Sequence, residues 1–289
     1  MGFTPEDIKE LREKSGAGMM DCKKALDESD GDVEKAIDWL RKKGINTAQK
    51  KSSRLASDGL VTSSIKKDCG VLIEVNAETD FVARNENFQN FCNELSLICI
   101  ENKIKNVESL LNSKFGSSNQ TVQESLTDII SKLGENIIIR KLSYFGEEEN
   151  YLQKYIHNSI NENSGKIAVL MSYSSNNRSK ESDEFSKNIC MHIAASDPKS
   201  LDINSLDEQL IEKEKQIYKE QLQSTNKPEN IIDKIIDGKI KKFYEDVCLM
   251  EQYFVMDNKN QIKNCIENFN KEFNDDFKIV KFEIFKLGQ

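Results

Sequence analysis

A strand, a turn and a helix follow one another in the stretch Val71-Leu72-Ile73-Glu74-Val75-Asn76-Ala77-Glu78-Thr79-Asp80-Phe81-Val82-Ala83-Arg84. Its first five residues form a short β-branched run that predicts a buried strand, and apolar residues from Phe88 to Cys99 recur at helical spacing. Phe81 therefore lies in a polar connection, where a large apolar side chain is unusual. Either Phe81 folds back as a plug beneath the sheet, or Asp80 and Phe81 form a wedge that is offered to a partner protein.

The elements around this turn predict one α+β unit over residues 59–145. Residues 59–65 and 71–75 have the pattern of a β-hairpin. A helix from Thr121 to Leu133 ends at Gly134, and the run 137–142 reads as a buried strand.

The order of elements then repeats over residues 146–256. Residues 155–157 and 166–173 predict a second hairpin, and residues 183–195 predict the helix after it. The connection in this second copy, residues 174–178, contains no apolar side chain. The strand-to-helix turn therefore does not require one, and this difference favours the wedge interpretation of Asp80 and Phe81.

Three short helices are predicted over residues 1–45, at the amino-terminal end of the chain. Thr4 and Pro5 start the first helix, residues 15–18 break it, and Gly44 is the predicted end of the third. So small a bundle suits a docking module better than a catalytic pocket. Residues 46–58 are polar and basic and are predicted to be a linker, with a basic docking strip as the alternative.

A long antiparallel helical hairpin is predicted to interrupt the second unit over residues 204–248. A capping box at residues 205–208 opens its first arm, residues 226–228 reverse the chain, and each arm carries an apolar stripe. The arms either cover only each other or bind another subunit. Residues 257–289 predict a carboxy-terminal module of one helix and one strand, and a strand so apolar must dock on something. The predicted fold class is therefore α+β.

Composition restricts the class of partner. The net charge is −8 and the isoelectric point is near 5.2, which argues against a nucleic-acid-binding protein and favours protein partners. Seven cysteines are scattered singly, as free thiols are in a reducing compartment. No membrane-spanning run and no targeting segment is recognisable, so the expected location is the cytoplasm, with no membrane partner.

Patterns of catalytic chemistry are sparse. The two histidines, His157 and His192, are far apart, and no zinc-ligand spacing, phosphate loop or nucleophile elbow is present. We expect no catalytic residue, no bound metal and no cofactor, so that an enzyme is the weaker interpretation. Two other classes of function remain alternatives: a helical scaffold whose bundle recruits a partner, and a thiol enzyme that uses one of the cysteines.

Several motifs in order resemble the translation elongation factor Ts family. The amino-terminal segment from Leu11 to Leu26, which includes Ser15-Gly16-Ala17-Gly18-Met19-Met20, is similar to that family's first module, and Thr79-Asp80-Phe81-Val82 is similar to its core motif. Further similarities follow in the family's order, so the resemblance spans almost the whole chain: Gly31-Asp32, Ala36-Ile37, Gly134 to Ile137, Met191 to Pro198 and Gly238 to Tyr244.

The resemblance implies a guanine nucleotide exchange factor that binds the GDP form of elongation factor Tu and promotes GDP release. It implies a bundle like that of ubiquitin-associated domains, two tandem core subdomains and a hairpin that supports dimerisation in some members. The segment Thr79 to Val82 would disturb the partner's magnesium ion, with Asp80 and Phe81 inserted near the nucleotide. Arg12, Met19, Met20 and His157 match partner-contacting positions of the family.

Overall fold

The computed structural model describes residues 3–146, 150–176, 178–223 and 228–289, which form a mixture of helices and antiparallel sheets. The α+β class is therefore confirmed. One sheet has the strand order β3-β2-β1-β5 and the other the order β4-β6-β7. The strands are β1 Asp58–Lys66, β2 Cys69–Ala77, β3 Ile138–Phe145, β4 Tyr151–His157, β5 Ser164–Gly165, β6 Ile167–Ser174 and β7 Lys278–Lys286.

The helices precede, connect and cover these strands. They are α1 Pro5–Ser15, α2 Met19–Glu28, α3 Val33–Lys51, α4 Asp80–Ala83, α5 Glu86–Glu101, α6 Val107–Asn112, α7 Val122–Leu133, α8 Lys180–Ser196, α9 Glu208–Gln223, α10 Glu229–Val247 and α11 Ile262–Phe273.

The first three helices form a small bundle around an apolar core. Thr4 and Asp7 form a reciprocal capping box at the start of α1, and Gly16 ends that helix with a φ of 65°. The buried core consists of few side chains, which are Leu11, Cys22, Ala25, Leu26 and Ala36. The predicted three helices are present in the described part of this segment, which begins at residue 3.

The third helix continues beyond its predicted end. α3 runs to Lys51, so the prediction that Gly44 ends it was wrong, and residues 46–51 of the predicted linker are helical. Gly44 is buried against Thr127 and Ser131 of α7, and Ala48 packs on the core of the first unit. A side chain at Gly44 would lie 3.7 Å from atoms of both residues, an ordinary packing distance, so the contact with α7 does not itself require glycine. The tertiary contact with α7 therefore overrides the weak helix propensity of glycine.

Helices cover the outer face of each sheet. α5 and α7 pack with β1 and β2 around a core that includes Ile73, Phe88 and Leu95, all fully buried. α8 and α11 pack on β6 and β7 around Tyr173, Ile193 and Phe277. Apolar burial on two separate faces thus gives each sheet its own helical layer.

The carboxy-terminal helix and strand belong to the second sheet and its core. β7 pairs antiparallel with β6, and α11 packs in the same apolar cluster as α8. The expectation that the terminal strand docks is therefore confirmed. The pairing register of β6 with β7 shifts between Ser172 and Tyr173, where Val280 of β7 is the extra residue, and that of β2 with β3 shifts in the same way between Glu74 and Val75, where Arg140 of β3 is the extra residue. α11 and β7 thus correspond to α7 and β3, so the internal repeat reaches further than the sequence pattern indicates.

The inner faces of the two sheets pack against each other. Val61, Leu72 and Phe145 of the first sheet meet a cluster from the second that contains Leu170 and Phe285. A side chain on Gly70 would lie 3.1 Å from atoms of both Leu152 and Leu170. The order of layers is therefore helix, sheet, sheet, helix.

The helical hairpin is formed by α9 and α10. The predicted capping box at residues 205–208 does not open α9, because Ser205 instead exchanges hydrogen bonds with Asp202, and Asp207 accepts the Gln209 N–H at 2.9 Å. The predicted end of the first arm at Ser224 and the turn residues Asn226 and Lys227 lie outside the described residues. In the described part of the chain no helix is long and apolar enough to cross a membrane.

Candidate partner-binding site

The turn after β2 carries one outward and one inward apolar side chain. Thr79 is the extended N-cap residue of the single-turn helix α4, and Phe81 in its first turn is 81% exposed. Val82 is only 7% exposed and Ala83 is fully buried in the core of the first unit. The plug interpretation is therefore wrong for Phe81, and Val82 is the residue that anchors the turn.

Such exposure has a free-energy cost. Leaving a phenylalanine side chain in water instead of burying it forgoes about 1.5–3 kcal/mol. Leu55, in the segment between α3 and β1, is 83% exposed. Leu55 was not among the contact residues predicted from the sequence. A single leucine in a polar segment of Ser and Arg residues is a pattern that could have indicated an exposed apolar contact residue. Both side chains are suited to contact with a partner protein.

Two carboxylates fix the turn in place. Glu135 accepts the Thr79 N–H at 3.0 Å and the Thr79 hydroxyl at 2.6 Å. Glu78 accepts the Asn136 N–H at 2.6 Å, and the Asn136 side chain donates to the Arg54 carbonyl at 2.8 Å. Residues 78–79 and 135–136 thus hold each other just beyond the paired ends of β2 and β3.

Asp80 remains available next to Phe81. Its carboxylate lies 3.5 Å from the Arg84 guanidinium, and the Asp80 side chain is 48% exposed. An ion pair this exposed contributes about 0–1 kcal/mol, so it costs little to exchange it for a contact with a partner. The turn therefore presents an acid and an aromatic ring side by side to solvent.

Three other predicted contact residues lie on the bundle. Met19 and Met20 begin α2 and are 60% and 74% exposed, and Arg12 is exposed on α1. Flexible thioether side chains suit an adaptable protein interface. α3 packs on α7, and Gly16 lies next to the Lys132 side chain of α7, so the bundle is held against the first unit.

His157 lies at the same end of the sheets as Phe81. It is the exposed last residue of β4, and its Nδ1 lies 3.2 Å from the Tyr155 hydroxyl. The loop after it reaches the turn, because Asn161 donates to Gln89 at 2.9 Å and Gln89 donates to the Arg84 carbonyl at 3.1 Å. The structure therefore brings His157 into the neighbourhood of the residue 79–82 turn.

The buried thiols and His192 are poorly suited to catalysis. Burial raises the pKa of Cys99 to about 12 and raises the pKa values of Cys92 and Cys190 further, which suppresses the reactive thiolate. His192 is buried, and desolvation lowers its pKa. Among the described residues no group of three or more His, Cys, Asp and Glu side chains could hold a metal ion.

Comparison with known proteins identifies the family. A family model described as elongation factor TS matches residues 78–289. The elongation factor Ts of Rhodospirillum centenum is 43% identical over 98% of this chain and 92% of its own length. The protein of the same name from Rickettsia felis is 41% identical over 98% of this chain and 91% of its own length. A Clostridium botulinum elongation factor Ts is 43% identical over 99% of this chain and 93% of its own length.

These matches define the class of the protein as a translation elongation factor that acts in protein biosynthesis. Within that class, the chain belongs to the elongation factor Ts family.

Proposed function

We propose that this protein is a guanine nucleotide exchange factor that binds elongation factor Tu in its GDP form and promotes GDP release. The observation that supports this most directly is the 81% exposure of Phe81 on a turn held by Glu78 and Glu135. Exposing an aromatic ring costs stability, and aromatic side chains often carry much of the binding free energy at protein interfaces. The exposed ring of Phe81 is therefore suited to insertion into a partner protein.

In the proposed mechanism, Asp80 and Phe81 insert into the GTPase near its nucleotide. Magnesium bridges protein and phosphate oxygens, so displacing its surroundings removes charge compensation from the diphosphate. By thermodynamic linkage, a protein that binds the nucleotide-free GTPase better than the GDP form weakens GDP binding by the same factor. The exposed acid and ring of α4 supply the insertion, while Val82 and Thr79 hold the helix in place.

The remaining contacts of the proposal lie on two other surfaces. Arg12, Met19 and Met20 of the bundle would dock on the GTPase, and His157 would touch it beside the turn. Self-association through the α9–α10 hairpin stays a prediction, as does the location in the cytoplasm. In this proposal the exchange factor needs no nucleotide, metal or cofactor of its own and binds neither nucleic acid nor membrane.

The test is the release of a fluorescent GDP analogue from elongation factor Tu, without this protein and with increasing concentrations of it up to a molar excess. We expect release to become faster with increasing concentration of the protein and to reach a plateau. A scaffold would bind the GTPase and leave the release rate unchanged, and that outcome would overturn the proposal. Replacing all seven cysteines by Ser or Ala should preserve the acceleration, which separates the exchange factor from a thiol enzyme.

A further inference from the structure

The short helix α4, which carries Phe81, has no side-chain hydrogen bond at its N-cap. Thr79 is the N-cap residue of α4, but its side chain accepts no hydrogen bond from the helix. Its hydroxyl instead donates to Glu135 at 2.6 Å, and its N–H donates to the other oxygen of the same carboxylate at 3.0 Å. The orientation of this four-residue helix therefore depends on a side chain 56 residues further along the chain.

The contact is reciprocal. Glu135 binds the backbone of Thr79, while Glu78 binds the backbone N–H of Asn136 at 2.6 Å. Hydrogen bonds to carboxylates are short and about twice as strong as neutral ones. Two such contacts in opposite directions restrict both rotation and sliding of the turn. Val82 restricts it further, because its side chain is packed in the core of the first unit.

We infer that Glu135 is a positioning residue for nucleotide exchange: it holds α4 so that Asp80 and Phe81 enter the partner in one fixed orientation. The inference rests on the proposed function of the turn. A preorganised tip loses little conformational freedom on binding, so more of the contact free energy is available to open the nucleotide site. Glu135 is half-buried and its carboxylate binds Thr79, so it acts through the turn.

The first experiment measures the tip without a partner. Hydrogen exchange at the amides of Arg84 and Asn85 reports on α4, because these amides donate to Asp80 and Val82 at 3.1 and 2.9 Å. Glu135→Ala should accelerate exchange at both amides, and Glu135→Gln, which keeps one acceptor oxygen, should have a smaller effect. Unchanged exchange in Glu135→Ala would overturn the inference even if GDP release by the wild-type protein is normal.

The second experiment measures GDP release from elongation factor Tu. Glu135→Ala should lower the plateau rate about tenfold, the fold-change expected from losing hydrogen bonds to a charged group, and leave the half-saturating concentration nearly unchanged. The matched control is Glu108→Ala, which removes an exposed carboxylate from α6 of the same unit and should release GDP at the wild-type rate. A wild-type plateau rate in Glu135→Ala would contradict a positioning role.

A combined variant separates positioning from a general structural effect. In a background of Asp80→Ala and Phe81→Ala the tip is already absent, so adding Glu135→Ala should slow GDP release no further. A further loss of the same size would show that Glu135 acts elsewhere and would overturn the inference. If the wild-type protein fails to accelerate release at all, the proposed function is wrong, and hydrogen exchange still decides whether Glu135 orients α4.

Discussion

The ammonium group of Lys141 on β3 lies 4.5 Å from the ring centre of Phe285 on β7. The relationship is reciprocated, since Lys281 on β7 lies 4.6 Å from the ring centre of Phe145 on β3. In each strand the lysine precedes the phenylalanine by four residues. The two corresponding strands of the repeat therefore exchange the same contact across the sheet interface, which ties the end of the chain to the first unit.

Lys141 should contribute more to stability than a cation–π contact alone. Besides its contact with Phe285, its ammonium group lies 3.4 Å from the carboxylate of Glu74, which is fully buried. Lys141→Met should therefore lower the free energy of unfolding by about 2 kcal/mol, because it leaves a buried charge with Arg140 as its remaining ion-pair neighbour among the described residues. Urea unfolding measures the loss, and a loss of about 0.5 kcal/mol or less, the size of an exposed cation–π contact, would contradict the assignment.

Two glycine substitutions should change stability in opposite directions. Gly59 has a φ of 124°, and a side chain there would lie 2.1 Å from the Val75 carbonyl oxygen. Gly59→Ala should therefore destabilise the protein by about 3 kcal/mol. Gly238 is exposed in the middle of α10, and a methyl group there would meet no neighbouring side chain of the described residues within 4 Å. Gly238→Ala should therefore stabilise the protein by about 0.5–1 kcal/mol. Thermal unfolding provides the comparison, and destabilisation by Gly238→Ala would indicate a strained hairpin.

Burial of His192 should make the protein less stable in mild acid. Its Nε2 lies 3.0 Å from the Gln252 side-chain oxygen, and its Nδ1 accepts the Val255 N–H at 3.3 Å. Nδ1 is therefore unprotonated in the folded state, and desolvation lowers the pKa of this imidazole. The unfolded chain binds the proton more readily, so the stabilising contribution is complete above about pH 6.5 and is lost as the pH falls toward the lower folded-state pKa.

Urea unfolding at several pH values between about 5 and 8 measures this effect. The wild-type protein should lose up to about 1.4 kcal/mol per pH unit from His192 below pH 6.5. His192→Gln should be less stable at neutral pH but should depend less on pH across this window. An unchanged pH dependence in the variant would show that other groups, such as the carboxylates, account for the loss.

Sequence reasoning succeeded where apolar spacing alone decides the element. The strand at residues 71–75, the repeated hairpin and the two arms of the helical hairpin all follow from spacing. It failed at α3, because the packing of Gly44 on α7 is a tertiary effect that local propensity does not contain. The sequence pattern also did not predict that β7 pairs with β6. The spacing of apolar residues indicates that the last strand joins a sheet, but it does not identify the neighbouring strand.

The same distinction applies to the candidate site. The sequence places Asp80 and Phe81 on a turn, but spacing does not determine whether a turn residue folds back or points outward. Only the structure shows that Val82 takes the buried position and Phe81 the exposed one. The contact between Glu135 and Thr79 joins residues from two turns that become neighbours only when β2 and β3 pair, so no local pattern predicts it.

The division of the turn into an exposed and a buried residue gives the sharpest prediction. Phe81→Ala removes a side chain that is 81% exposed, so the free energy of unfolding should change by less than about 0.5 kcal/mol. If the ring is the inserted group, GDP release from elongation factor Tu should nevertheless slow about tenfold or more, the scale of a buried aromatic anchor at an interface. Asp80→Ala in addition should slow it further, while binding through the bundle persists.

Val82→Ala should give the opposite profile. It removes methyl groups from the core of the first unit and should lower the free energy of unfolding by about 1–2 kcal/mol, with a smaller effect on exchange at a temperature where the variant is folded. Leu97→Ala, which shortens a 40% exposed side chain on α5, is the control for exchange and should leave GDP release at the wild-type rate. Stopped-flow release of the GDP analogue and urea unfolding, measured on the same preparations, separate the two roles. If Phe81→Ala releases GDP as fast as the wild-type protein, the exposed ring is not the working group, and the turn contributes to exchange through its backbone or not at all.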